Sequence, residues 1–236
     1  MGADDVTLTI APELRLFLAP RHRPGLARVR CDGVSSLGHV VESLGVPLPE
    51  VGQLVVNGRP GRPSYRPQPG DTVLVEPVLR PQAIPSARFV LDVHLGALAR
   101  RMRLVGLDAI YANDSDDDAL IHLANADARA LLTRDRWLLR RRKLRLGAYV
   151  RGHRPDEQLA DVIDRFDPPL APWTRCLACN GALSAVPKRE IERQLLPGTR
   201  RTYQNFARCA DCGRVYWRGA HSGHLAAIVA AAARSA

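Results

Sequence analysis

The sequence predicts an α/β protein: an open, mostly parallel sheet with helices on both faces, a small β-rich domain before it and a cysteine-held module after it. Three observations carry this expectation. Four strand–helix units alternate between Arg88 and Phe166, a pattern that calls for a parallel sheet with crossover helices. Short strands surround a single helix in residues 1–80. Two Cys-x-x-Cys pairs stand close together in residues 171–236. The expected domains are therefore 1–80, 86–170 and 171–236.

In the first domain, Val6-Thr-Leu-Thr-Ile10 alternates with the period of a strand. Leu14 to Ala19 is expected to be a second strand or a continuation of the first. Ser36 to Leu44 has helical spacing, with Leu37, Val40, Val41 and Leu44 on one face and Gly45 suited to the helix end. Leu54 to Val56 is a short strand, Asn57-Gly58 a tight-turn signal, and Gly70-Asp71 a second turn before a strand from Thr72 to Glu76. This ββαββ order, with its "VVNG" and "PGDTVLVEPV" strands, resembles the ubiquitin-like β-grasp fold of small sulfur-carrier proteins. Those carriers end in Gly-Gly. Here Pro77-Val-Leu-Arg-Pro81 follows and the chain continues, so a binding or packing module, with a protein partner as one use of it, is expected in place of sulfur transfer.

Pro77, Pro81 and Pro85 read as a stiff linker. The second domain then alternates regularly. Strands are expected at Arg88–Asp92, Ala109–Tyr111, Ala130–Thr133 and Ala148–Val150. Helices are expected at Leu95–Val105, Asp117–Ala126, Arg136–Arg142 and Pro155–Phe166, the last with Pro155 at its first position. Pro168, Pro169 and Pro172 close the domain.

Open parallel sheets bind ligands beyond the carboxyl ends of their strands, where strand order reverses. Asp92 ends the first strand of this domain and Asp135 follows the third; in a 2-1-3-4 order those strands are neighbours. Asp116, Asp117 and Asp118 open the second helix, where one serves as N-cap and another can turn into the crevice. Clustered carboxylates repel unless a divalent cation compensates, and Mg²⁺ or Mn²⁺ suits oxygen ligands. Such a metal could activate water for phosphodiester cleavage. Beside Asp135 lie Arg136, Arg140, Arg141, Arg142, Lys143 and Arg145, with no acid among them. Basic side chains flanking a metal centre suit an RNA backbone.

The stretch from Phe89 to Leu139, "FVLDVHLGALARRMRLVGLDAIYANDSDDDALIHLANADARALLTRDRWLL", resembles the PIN-fold ribonucleases. Within them it is closest to the subgroup named after the C-terminal domain of the nematode mutator exonuclease. The resemblance covers the whole chain, and "LLTRDRWLLRRRK" and "RCLACNGAL" are its most specific stretches. It implies an N-terminal ubiquitin-like domain, a PIN-like core, a C-terminal zinc module and a metal-dependent ribonuclease acting on RNA, single-stranded by preference. By position it makes Asp92 the first acid, Asp117 the second with Asp116 as runner-up, and Asp135 the acid of a Thr-x-Asp motif. Thr133 would orient Asp135 or bind phosphate. Many such nucleases have a fourth acid soon after the third, whereas here the next is Asp156. The alternative is a non-catalytic RNA-binding or translation-associated adaptor with a degenerate PIN-like site.

Cys176-x-x-Cys179 and Cys209-x-x-Cys212 are separated by 29 residues. Each pair can bite one tetrahedral zinc, and four thiolates close its coordination shell, which makes this zinc structural. His221 and His224 are spare candidates, and Tyr203, Phe206, Tyr216 and Trp217 are expected to pack the module. Cys31 reads as a small core residue. The start, Met1 to Asp5, is acidic and no apolar region follows. No apolar run approaches the roughly 18–20 residues of a membrane span. A cytoplasmic protein without a membrane partner is expected, where paired cysteines serve metals more than disulfides. The net charge of +10, mostly arginine, favours a polyanionic partner.

Overall fold

The computed structural model describes residues 5–219 and 222–235. The chain divides into two compact units, Met1–Gln82 with Asp135–Tyr149, and Ala83–Arg134 with Val150–Ala236.

The first unit opens with β1, Asp5–Ile10, whose Val6, Leu8 and Ile10 are buried on one face. The strand expected over Leu14–Ala19 is instead a 3-10 helix, Pro12–Phe17. Pro12 starts it, and Leu14 and Phe17, three residues apart, fall on the same side of a three-residue turn and are both buried. The second strand comes later: β2, Leu26–Arg30, pairs antiparallel with β1. Helix α1, Leu37–Ser43, is capped by Ser36, whose side chain accepts from the His39 N–H. β3, Val51–Val56, and β4, Arg59–Gly61, form a hairpin through Asn57 and Gly58, both at positive φ as a two-residue turn requires. β5, Thr72–Pro77, runs parallel to β1 and antiparallel to β3, giving the order β2-β1-β5-β3-β4. Leu8, Ile10, Leu14, Phe17, Val41 and Val75 form its core, and Cys31 packs at the margin.

In the second unit, β6, Arg88–Leu91, leads through a 3-10 turn into α2, Gly96–Leu104. β7, Asp108–Tyr111, is followed by α3, Asp117–Ala126, and β8, Ala130–Thr133. β6 lies between β7 and β8 and is parallel to both, the expected 2-1-3 arrangement. Phe89, Val90, Leu91, Leu131 and Leu132 are all buried, the continuous burial of a parallel sheet covered on both faces. Gly106, at φ +88°, ends α2 where a Cβ would overlap the Ala171 carbonyl.

Helix α4, Arg136–Leu139, and β9, Gly147–Tyr149, belong to the first unit. The helix expected to reach Arg142 stops at Leu139 and gives way to turns. Arg140, Arg141, Arg142 and Lys143 repel one another and have no acid nearby in sequence to pair with on a helix surface. Tyr149 packs edge-on against Phe17, with ring centroids 5.0 Å apart, and its N–H donates to Glu50 Oε1 at 2.8 Å.

Helix α5, Pro155–Phe166, closes the α/β part of the second unit. Beyond it come β10, Leu183–Val186, α6, Lys188–Ile191, α7, Pro197–Thr202, β11, Phe206–Cys209, β12, Val215–Trp217, and α8, Ser222–Ser235. β10, β11 and β12 form an antiparallel sheet in that order. No described helix is long and apolar enough to cross a membrane. His221 lies outside the described residues, as does the side chain of His224.

Candidate functional site

Asp92 follows the last residue of β6 and is only 6% exposed. Its backbone extends the sheet, the N–H donating to Leu132 O at 3.0 Å. Its Oδ1 accepts from the Val93 N–H at 2.6 Å, capping the 3-10 turn. Its Oδ2 accepts from the fully buried Thr133 hydroxyl at 2.6 Å. Thr133 is the last residue of β8, so the two groups meet at the carboxyl ends of neighbouring strands, where the strand order reverses. Tyr111, at the end of β7, donates its hydroxyl to Val93 O at 2.8 Å and holds the same turn. Among the described residues no basic side chain pairs with Asp92, whose hydrogen bonds come only from neutral donors.

Asp116 is the N-cap of α3, its Oδ1 accepting from the Ala119 N–H at 2.7 Å. Asp117 and Asp118 are exposed in the first turn of the helix, where their charge suits the helix dipole. In the first unit, Asp135 caps α4 by accepting from the Trp137 N–H at 2.7 Å. Asp156, the next acid in the chain, accepts from Arg101 Nε at 2.7 Å.

The cysteines converge. Their four sulfurs lie within 4.8 Å of one another, and among the described residues they are the one group of three or more metal-ligating side chains that comes so close. Cys176 and Cys209 are buried, Cys179 and Cys212 exposed. Gly181 is required here, since a Cβ would stand 2.8 Å from the Cys209 sulfur. Four converging thiols are the donor set of a structural zinc, and they can hold one such ion. Desolvation raises the Cys176 pKa, but hydrogen bonds from Tyr216 and backbone N–H groups outweigh it and bring the thiol down to about 6.

Side chains to which the sequence assigned no part in the metal site bind this centre to the sheet. Arg103 on α2 is 3% exposed, and its Nη1 donates to Leu177 O at 3.1 Å and Ala178 O at 2.8 Å, both inside the first Cys-x-x-Cys turn. Asn180 Oδ1 accepts from the Ala109 N–H of β7 at 3.0 Å, and its Nδ2 donates to Asp108 Oδ1 at 2.8 Å. Asn180 carried a signal: it precedes Gly181 and takes φ +74°, a conformation asparagine tolerates. Arg103, with Arg100 and Arg101 on the same helix, showed only basic charge in the sequence, nothing of its burial. Tyr216 places its hydroxyl 3.0 Å from the Cys176 sulfur. Tyr216→Phe is expected to weaken zinc affinity about tenfold, as loss of a ligand's hydrogen-bond partner commonly does. Competition with a chromogenic chelator reads this directly, and an unchanged affinity would show the tyrosine only packs.

The family model described as Mut7-C RNAse domain matches residues 87–229, and that described as Mut7-C ubiquitin matches residues 3–83. The chain belongs to the Mut7-C RNAse domain family. No curated protein and no solved structure matches it. The RNAse-domain match contains Asp92, Thr133 and all four cysteines of this Mut7-C chain. It also contains the basic run, which the fold packs with the ubiquitin-like part. There Arg136 donates to Leu16 O at 2.8 Å and Phe17 O at 3.1 Å, so its guanidinium is engaged within the unit. Arg140 lies over the exposed Trp137 ring at 4.9 Å. Arg140, Arg141, Arg142 and Arg145 line a cleft of about 560 Å³ together with Ser36 and His39, a basic surface suited to phosphates.

Proposed function

We propose that this Mut7-C chain is a metal-dependent ribonuclease, with a PIN-like core and a zinc ribbon, that cleaves RNA phosphodiester bonds. The observation that carries the reading is Asp92: a buried carboxylate at the reversal point of a parallel sheet, oriented by Thr133 and without a basic partner. Such a group fits a divalent cation, because a buried anion needs a countercharge. Asp92, Asp117 and Asp135 would hold Mg²⁺ or Mn²⁺, with Asp116 as the runner-up to Asp117. A bound cation would supply a Lewis acid, making water more acidic and offsetting charge on the phosphodiester. Thr133 and the Val93 N–H together fix the orientation of the Asp92 carboxylate. The arginines from Arg140 to Arg145, with Lys143, bind the backbone of single-stranded RNA. The ubiquitin-like domain would present the enzyme to a protein partner in the cytoplasm.

Cleavage of single-stranded RNA with Mn²⁺ tests this. Thr133→Val should cost about tenfold and Asp92→Asn about a hundredfold or more, since partners of metal ligands cost 10–100-fold and a ligand more. Asp135→Asn should also be impaired. Equal turnover by wild type, Asp92→Asn and Asp135→Asn would sink the assignment.

A second reading is an RNA-binding adaptor. What favours it is that Asp116 spends an oxygen on a helix cap and Asp156 is engaged by Arg101. Calorimetric titration with Mn²⁺ separates the two, because an adaptor has no need to bind the ion through Asp92.

A further inference from the structure

The cysteine module contains a cleft that the proposed chemistry does not use. It encloses about 630 Å³, within the roughly 300–1,000 Å³ of small-molecule sites. Neither Asp92 nor Thr133 lines it. Two of the chain's three tryptophans, Trp173 and Trp217, meet there with Tyr203 and Phe206. Buried Phe206 backs Trp217, with ring centroids 6.3 Å apart, while Trp217 stays 42% exposed. Arg218 sits over the Trp173 ring at 5.1 Å, and Asn205 adds an amide to the lining.

These groups select a ligand class. A ligand that is only apolar would gain nothing from Arg218 and Asn205. An anion alone would gain nothing from the ring faces of two indoles and two phenols. A planar base on a phosphate backbone uses all of them: stacking on aromatic faces, hydrogen bonds to an amide, and charge against guanidinium. Duplex bases hide their faces, so the strand must be single. We propose that this cleft takes unstacked nucleobases of single-stranded RNA, away from the carboxylates that would cut it. The choice of RNA rests on the ribonuclease reading. Tyr216 links the cleft to the cysteine centre, lining the one and placing its hydroxyl 3.0 Å from the Cys176 sulfur of the other.

The test uses the full zinc-loaded chain carrying Trp137→Phe, which leaves Trp173 and Trp217 as the fluorophores. Oligoadenylate RNA of about twelve nucleotides, within the site sizes of single-strand binders, is titrated in. Fluorescence should be quenched, and an abasic oligonucleotide of equal length should bind much more weakly without quenching. Trp217→Ala should weaken binding about tenfold, in the range for losing one stacked base, and Trp217→Phe should restore most of it. Should Trp217→Ala lose its zinc, the exposed Arg218→Ala decides in its place, with a severalfold loss expected. Tight RNA binding that is indifferent to Trp217→Ala or Arg218→Ala, or equal binding of the abasic strand, overturns the cleft and leaves the ribonuclease reading standing. Failure of the wild type to bind any RNA overturns both.

Discussion

Cys176→Ser is expected to abolish zinc binding at the four-cysteine centre and to lower the melting temperature of the whole second unit. Between Ala171 and Gly219 the described buried apolar side chains are Cys176, Ile191, Phe206 and Cys209, too small a core to fold a module alone. A structural zinc supplies about 10–16 kcal/mol in small zinc-binding domains, far more than these four residues bury. The loss should not stay local. Without the cysteine turn, Arg103 loses the carbonyls of Leu177 and Ala178, and the Ala109 N–H loses Asn180. Arg103 keeps its Nε bond to the Ala109 carbonyl at 2.9 Å, but a buried guanidinium that loses its other acceptors costs about 1–3 kcal/mol. Zinc content and thermal unfolding, with and without a chelator, measure both effects. An unchanged melting transition in the zinc-free protein would show that the module is an appendage.

Asp108→Asn is expected to destabilise the second unit by about 3 kcal/mol, the low end for breaking a buried pair, since Asp127 still holds Arg129. Asp108 accepts from Arg129 Nη1 at 2.7 Å and from Asn180 Nδ2 at 2.8 Å, with Arg175 at 3.5 Å and Arg88 at 3.7 Å. Every neighbour is a donor or a cation, so an asparagine would turn its own NH₂ toward them. Arg129 is 5% exposed and keeps only its bond to Asp127 and a long one to Phe89 O. Burial alone would raise the Asp108 pKa. The hydrogen bonds from Arg129 and Asn180, with the charges of Arg129 and Arg175, more than offset burial and hold it below the ordinary carboxylate range. A depressed folded pKa means stability that is fully present above the unfolded pKa of about 4 and lost as pH falls through the folded value. The gap between wild type and Asp108→Asn in urea should therefore be widest at neutral pH and shrink below about pH 4. A gap independent of pH would refute the charge argument.

Much of the chain was legible from spacing alone. Apolar periodicity located the central strands and helices, with α3, β8 and α5 falling where expected. The two Cys-x-x-Cys pairs announced their convergence, because each pair sets its own bite. Asp92 could be placed at a strand end by counting. Where local signals conflicted, sequence reading failed: Pro12 turned an apolar run into a 3-10 helix, and charge repulsion cut α4 short.

Who meets whom was decided only by the tertiary structure. The Thr133 hydroxyl donates to Asp92, 41 residues distant in sequence, a partner that no local pattern names. A side chain at a strand end meets those of the neighbouring strand on the same face, and only the sheet order names that neighbour. Ala109 and Asn180 lie 71 residues apart, and Arg103 reaches still further to Ala178. Patterns of a few residues encode elements, because helix and strand periods are short. Partners across the sheet depend on how those elements stack, and no local pattern records that.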